Sequence, residues 1–223
     1  MSNIVIFGTG QIAQAVAVYL DRDSTHEVAA FVIDAAYRNG QGRCMGRPVH
    51  DWESLERDFR PEDGLLFGPV SYRGLNQFRK ARFDEGKRRG YRFLTYIHPS
   101  AHVYTDEIGE NCLILEQNVI QPFARIGDNV VIWSNNHIGH HTMIGDHCFV
   151  TSQVGIAGNC RVGEACFFGG QSGLIDNRSV GAGCIIGAGA TVLTDLADGD
   201  YVQAAHPRIA RGAAGRFSKS LLG

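Results

Sequence analysis

Prolines are few in this 223-residue sequence, 6 in all, its 6 cysteines include no Cys-x-x-Cys pair, and neither charge is in surplus, the net being −2. Each shortage removes a class of protein. A chain this long with so few, unpaired-looking cysteines is not a secreted disulfide framework. The apolar runs are only a few residues long, so no membrane span is expected. The start, MSNIVIFGTG, lacks the basic head and long apolar core of a signal peptide, and a cytoplasmic protein is expected. Near-neutral charge argues against a polyanionic nucleic-acid partner. What is abundant is glycine, 28 residues, and with proline low this is neither collagen nor a low-complexity linker.

The chain reads in two grammars. Over the first hundred residues short apolar runs alternate with helix-length segments. Ile4–Phe7, Val28–Ile33, Leu65–Phe67 and Tyr91–Ile97 read as strands, Gln11–Leu20 and Gly74–Gly90 as helices. This pattern predicts βαβ units on a small, parallel, Rossmann-like α/β sheet of four or five strands. Gly8-Thr9-Gly10-Gln11-Ile12-Ala13 follows a strand and opens a helix, an arrangement that lets phosphates approach backbone N–H groups. Asp34 ends the next strand, where a carboxylate is placed to bond a ribose or base, and Gly68-Pro69 turns the chain after the third.

From residue 108 the period becomes six. Ile108, Ile114, Ile120, Ile126, Ile132, Ile138, Ile144, Val150, Ile156, Val162, Phe168, Leu174, Val180, Ile186 and Val192 are apolar at every step. Glycine follows at eight of these (109, 127, 139, 145, 163, 169, 181 and 187), and the fourth position after the apolar residue is often small, including five cysteines. A six-residue period means a repeated strand and corner, three of which close an 18-residue coil and place residue n on n+18, about 4.8 Å away. Glycine suits a corner through positive φ or close backbone approach. The cysteines read as small buried hydrophobes. The domains expected are 1–99, a Rossmann-like α/β unit, 100–197, the repeat, and 198–223, a tail.

The repeat resembles the hexapeptide acyltransferases. The whole chain, with GTGQIA at its start, YIHPSAHV at the junction, and HIGHHTMIGDHCF and IAGNCRVG in the repeat, is similar to bacterial sugar acyltransferases of the sialic-acid O-acetyltransferase and bacillosamine N-acetyltransferase group. The resemblance implies a left-handed parallel β-helix, a homotrimer, acetyl-CoA as co-substrate, and a nucleotide-linked amino sugar as acceptor in bacterial surface glycan synthesis. Transfer would be direct, in a ternary complex. O-acetylation of a sugar and a non-catalytic nucleotide-sugar scaffold are the alternatives.

Acyl transfer needs a base for the nucleophile's proton, a task suited to histidine. Four histidines cluster at 137, 140, 141 and 147. The family pattern His-x-x-x-Ile-Gly falls on His140, making it the base with His141 beside it, where the family often has an acid. Asn136, Asp146 or a backbone carbonyl are other groups that would orient His140. Gly158, one coil on, corresponds to a glycine whose N–H steadies the oxyanion and meets acetyl-CoA. A second family histidine is replaced by Phe149. The nucleotide sugar is assigned to Gly8, Gly10, Gln11, Asp34, Gly68 and Asn136, and the phosphates of coenzyme A to the basic tail at Arg208. No metal is expected, since no two clustered histidines are five apart, the spacing that hexapeptide-repeat carbonic anhydrases need. The excess of Lys and Arg over residues 73–92 reads as a solvated helix face.

Overall fold

The computed structural model describes residues 2–205. Arg208 and the basic residues after it lie outside the described residues. The N-terminal unit has five strands, β1 (Asn3–Phe7), β2 (Glu27–Ile33), β3 (Arg43–Cys44), β4 (Arg47–Asp51) and β5 (Leu65–Phe67), in the order β3-β4-β2-β1-β5. Helix α1 (Gln11–Asp23) follows β1 and α2 (Gln77–Arg88) follows β5. The pairs β1–β2, β1–β5 and β2–β4 are parallel, whereas β3–β4 is an antiparallel hairpin. The βαβ expectation therefore fails between β2 and β4, where a three-residue 3-10 turn and the hairpin replace a helix. Tyr91–Ile97 is not one strand. Phe93 makes an isolated bridge to Leu66, and Tyr96–Ile97 already stacks on the repeat.

Alternation on β1 sets up two cores, because successive strand side chains face opposite ways. Val5 and Phe7 pack with Trp52, Leu55, Phe83 and Tyr91 on the face that α2 covers. Ile4 and Ile6 pack with Val16 and Leu20 of α1, and this second core runs on into Leu113, Val131 and Phe149 of the repeat. The two units thus share this second core.

The repeat is a parallel β-helix of three sheets, of seven, six and four two-residue strands. Partners such as Leu113 and Val131, or His137 and Gly155, are 18 residues apart, as the period requires. The ladder starts at Tyr96 and reaches Val202, which pairs with Ile186, so it overruns the expected 100–197 at both ends. Ile114, Ile132, Val150, Phe168 and Ile186 stack inside the prism on Cys112, Cys148, Cys166 and Cys184. The cysteines also donate to carbonyls, Cys112 Sγ to Gly127 O and Cys148 Sγ to Gly163 O, each at 3.1 Å. Burial pushes the Cys112 thiol up to about 12, which leaves it unreactive.

The corner glycines follow from close approach, not from φ. A Cβ at Gly139 would stand 2.5 Å from Ala157 C and Gly158 N, and one at Gly109 2.2 Å from Asp128 Oδ1. Positive φ falls two residues later, in a column of Asn, Gln, His and others that includes Asn111, Asn129, His141 and His147. Asn is well suited to that left-handed region, and histidine is tolerated there.

Candidate active site

His140 stands at the corner where the coil passes from the strand His137–Ile138 to the strand Met143–Ile144. The corner is locked by Thr142, whose Oγ1 donates to Ala157 O at 2.8 Å and accepts from Cys160 N–H at 3.1 Å. The His140 N–H donates to Gln121 Oε1 at 2.9 Å. Its ring is exposed, with Nδ1 3.1 Å from Nδ1 of His141. His141, at φ 59°, lies against the exposed ring of Phe123 with centroids 4.7 Å apart. Two Nδ1 atoms in contact require one donor and one acceptor. With Nδ1–H on His140 and a bare Nδ1 on His141, Nε2 of His140 carries a lone pair that can accept a proton.

Gly158 lies directly under that ring. A Cβ there would stand 2.8 Å from His140 Cε1 and 2.9 Å from Nε2. Its N–H, expected as an oxyanion donor, is instead given to Asp176 Oδ1 at 2.9 Å. That role thus requires the exposed Asp176 to turn aside, because a carboxylate occupies the place an oxyanion would take. Of the other groups considered for orienting His140, Asp146 Oδ1 accepts from Asp128 N–H. Asn136 is buried, donating to Trp133 O and accepting from Val154 N–H, so its side chain braces another corner and does not orient His140.

The histidine cluster disperses. His137 is exposed on its strand, while His147 is buried at a third corner between Asn129 Nδ2 (2.9 Å) and Lys80 Nζ (3.2 Å). Burial and the nearby Lys80 hold His147 below the usual histidine range. Phe149 does not stand in for a catalytic group. It is buried where the two units meet, 5.2 Å from Tyr72 and 5.8 Å from Phe167 between ring centroids.

A cavity of about 420 Å³ opens at the end of β1 and β2. Gly8, Gly10, Gln11 and Asp34, four of the six residues assigned to the nucleotide sugar, line it together. Gly8, at φ 108°, turns the chain into α1, whose N-cap Gly10 makes no side-chain bond. The first N–H groups of α1 are therefore open to an anion. Gly68 does not line the cavity. Its N–H donates to Asn111 Oδ1 (2.8 Å) and its carbonyl accepts from Asn111 Nδ2 (3.1 Å), so it moors the loop 69–73 to the repeat. Sequence reasoning missed Tyr37, Arg73 and Phe78, which complete the walls and carry no motif of their own.

Arg79 departs furthest from expectation. Within the basic segment read as a solvated face, it is 1% exposed and donates to the carbonyls of Ser71, Asn129, His147 and Cys148. It fastens α2 to the corner next to the sheet that the N-terminal unit covers. His140 belongs to the corner opposite that sheet. A single chain therefore does not bring the cavity and His140 together.

The coils of the prism thus hold an exposed corner histidine over a glycine of the next coil. The sequence matches the bacterial transferase hexapeptide (six repeats) family over residues 107–140 and 123–158. No match is found among curated proteins. Among solved structures the chain is similar to a histidine-to-asparagine variant of perosamine N-acetyltransferase from Caulobacter crescentus, in complex with CoA and GDP-perosamine. That likeness has 28% identity and a TM-score of 0.77, over 90% of this chain and 93% of the other. PerB from the same organism, in complex with the same two molecules, aligns at 28% identity over 90% and 93% of the two chains, TM-score 0.76. The acetyltransferase domain of PglB from Neisseria gonorrhoeae shares the fold at 24% identity, TM-score 0.77, over 91% and 96%.

Proposed function

We propose that the protein transfers the acetyl group of acetyl-CoA to the amino group of a nucleotide-linked sugar, as a cytoplasmic step toward a bacterial surface glycan. The observation that carries this reading is the His140 ring, exposed over Gly158 with its Nδ1 held by His141. The likeness to N-acetyltransferases in complex with CoA and GDP-perosamine favours an amine over a hydroxyl acceptor. In the reaction the sugar amine attacks the thioester carbonyl while His140 Nε2 accepts the amine proton. The C–S bond then breaks and the thiolate of coenzyme A leaves, taking up a proton. The Gly158 N–H stabilises the oxyanion once Asp176 has turned to solvent.

The domain assignment 1–99 for the nucleotide and 100–197 for acyl transfer goes with this reading. So does a left-handed coil assembled as a homotrimer, in which the cavity of one chain would face His140 of a neighbouring copy. Thiol release from acetyl-CoA, followed across a panel of nucleotide-linked amino sugars and their hydroxy counterparts, tests it. Amino acceptors should turn over and hydroxy ones should not, and no transfer to any of them would refute the proposal.

Gly158→Ala bears on the geometry alone. The backbone φ admits alanine, but the new methyl overlaps the His140 ring. Displacing a base by about 1 Å costs on the order of 10²-fold in rate. We expect kcat to fall by about that factor with the thermal midpoint almost unchanged, measured by steady-state kinetics and calorimetry.

A further inference from the structure

We infer that Phe123 is a positioning residue, keeping Nδ1 of His141 free of other partners so that it serves His140. The inference rests on the acetyltransferase reading and says how the base is held with a histidine, not an acid, beside it. Phe123 stands at φ 64°, in the left-handed region that an aromatic residue rarely adopts. At the other positive-φ positions described in the repeat stand Asn, Gln, His, Ala or Gly. Its ring is 67% exposed, more than any other large apolar side chain described. Neither backbone preference nor burial accounts for a phenylalanine here.

The behaviour of the equivalent corners does. Such residues lie one coil, 18 positions, apart, and their side chains bond from coil to coil. Asn111 Nδ2 donates to Asn129 Oδ1 at 2.9 Å, Asn159 Nδ2 to Asn177 Oδ1 at 2.8 Å and Gln171 Nε2 to Gln153 Oε1 at 3.0 Å. His147 is drawn into the same ladder, its Nδ1 accepting from Asn129 Nδ2 at 2.9 Å. A histidine at such a corner thus gives up Nδ1 to an amide one coil earlier. His141 is the other histidine in this backbone state, and one coil earlier it meets Phe123, which has no donor. One coil later, Asn159 gives its amide to Asn177. The Nδ1 of His141 therefore remains for Nδ1 of His140, at 3.1 Å. The Phe123 ring holds the imidazole by contact alone, with centroids 4.7 Å apart and planes tilted by 35°. The bond made at one ring nitrogen decides which nitrogen carries the proton, so a free Nδ1 on His141 leaves Nε2 of His140 to act as base.

Phe123→Asn and Phe123→Leu in the full-length protein test this. Both remove the ring, but only asparagine brings an amide to His141, as Asn129 does to His147. For Phe123→Asn kcat should fall about 10- to 100-fold, the scale of a misplaced base, with both KM values within about twofold. Its thermal midpoint should not fall, since asparagine suits the left-handed backbone better than phenylalanine does. Phe123→Leu should lose only about threefold in kcat, the worth of one ring contact. Ring 15N spectra of the histidines at alkaline pH, assigned against His140→Ala, give a readout independent of turnover. The unaltered protein should show His140 protonated at Nδ1 and bare at Nε2, and Phe123→Asn should lose that preference. Equal losses for the two variants, or an unimpaired kcat for Phe123→Asn, overturn the inference. An Nε2–H tautomer of His140 in the unaltered protein overturns it too, and that observation needs no variant. A change of mass in light scattering for Phe123→Asn would make the residue a contact between copies and overturn its positioning role. In each of these cases the unaltered protein still transfers acetyl, whereas transfer to no acceptor at all overturns the acetyltransferase reading and this inference with it.

Discussion

His140→Ala is expected to lower kcat for acetyl transfer by about 10³-fold, within the range of 10²–10⁴ that a positioned general base supplies. The attacking amine must lose a proton as the tetrahedral intermediate forms, and Nε2 of His140 makes no hydrogen bond among the described residues that would keep it from accepting one. The nucleotide cavity belongs to the other unit, so KM for the nucleotide sugar should stay within about twofold while kcat collapses, the pattern of an interaction made only in the transition state. The side chain is exposed and the corner is held by Thr142, so the thermal midpoint should not move. Steady-state kinetics with calorimetry separates these outcomes. A variant with unimpaired kcat would remove His140 from the reaction.

The repeat was legible in the sequence because its period is enforced locally. Each of the fifteen apolar residues must fill the same prism, and each glycine after them must let the next coil approach. His140 was marked by the resemblance, through the pattern His-x-x-x-Ile-Gly, and Gly158 followed from the register, since n and n+18 are neighbours whatever surrounds them. Gly8, Gly10, Gln11 and Asp34 were legible as a turn between strand and helix with an acid at the next strand's end. What failed depends on which corner meets the N-terminal unit, and no spacing encodes that. Phe149 and His147 look like site residues until the sheet carrying Phe149, and the corner beside it, are seen to be the covered ones. Gly68 looks like a substrate-binding turn until Asn111 takes both its backbone groups. Asp176 reads as an ordinary corner acid, and only the fold sets it on the Gly158 N–H. Arg79 was hidden by its own surroundings, one cation among eight, with nothing in the helix pattern to mark the one that turns inward.

Replacing Arg79 by methionine should therefore be the most damaging change to the fold. Among the described residues the guanidinium has no carboxylate partner. Burial brings it down to about 10, which still leaves it a cation at neutral pH. Its donors are spent on four carbonyl oxygens and on Asn76 Oδ1 at 3.2 Å, and Asn76 Nδ2 in turn holds Ala165 O and Cys166 O. Burying the charge costs several kcal/mol, but hydrogen bonds from a charged donor return about 1.5–3 kcal/mol each. With five acceptors the bonds outweigh the burial. Methionine fills much of the volume and satisfies none of them, leaving carbonyls from three separate segments unpaired in a closed interior. A loss of about 3–5 kcal/mol follows, from roughly 1–3 kcal/mol for each acceptor left unsatisfied, offset in part by the burial cost of the charge that is no longer there. For a chain of this size that is a fall in thermal midpoint of about 10 °C or more. Arg79→Lys should recover only part of it, because one ammonium does not span acceptors on both the Ser71 and the His147 sides. The Ser71 carbonyl belongs to the loop that walls the nucleotide cavity, so the lysine variant should also show a raised KM for the nucleotide sugar at nearly normal kcat. Calorimetry and steady-state kinetics on the two variants measure both effects, and an unchanged midpoint for methionine would show that the network does not hold the units together.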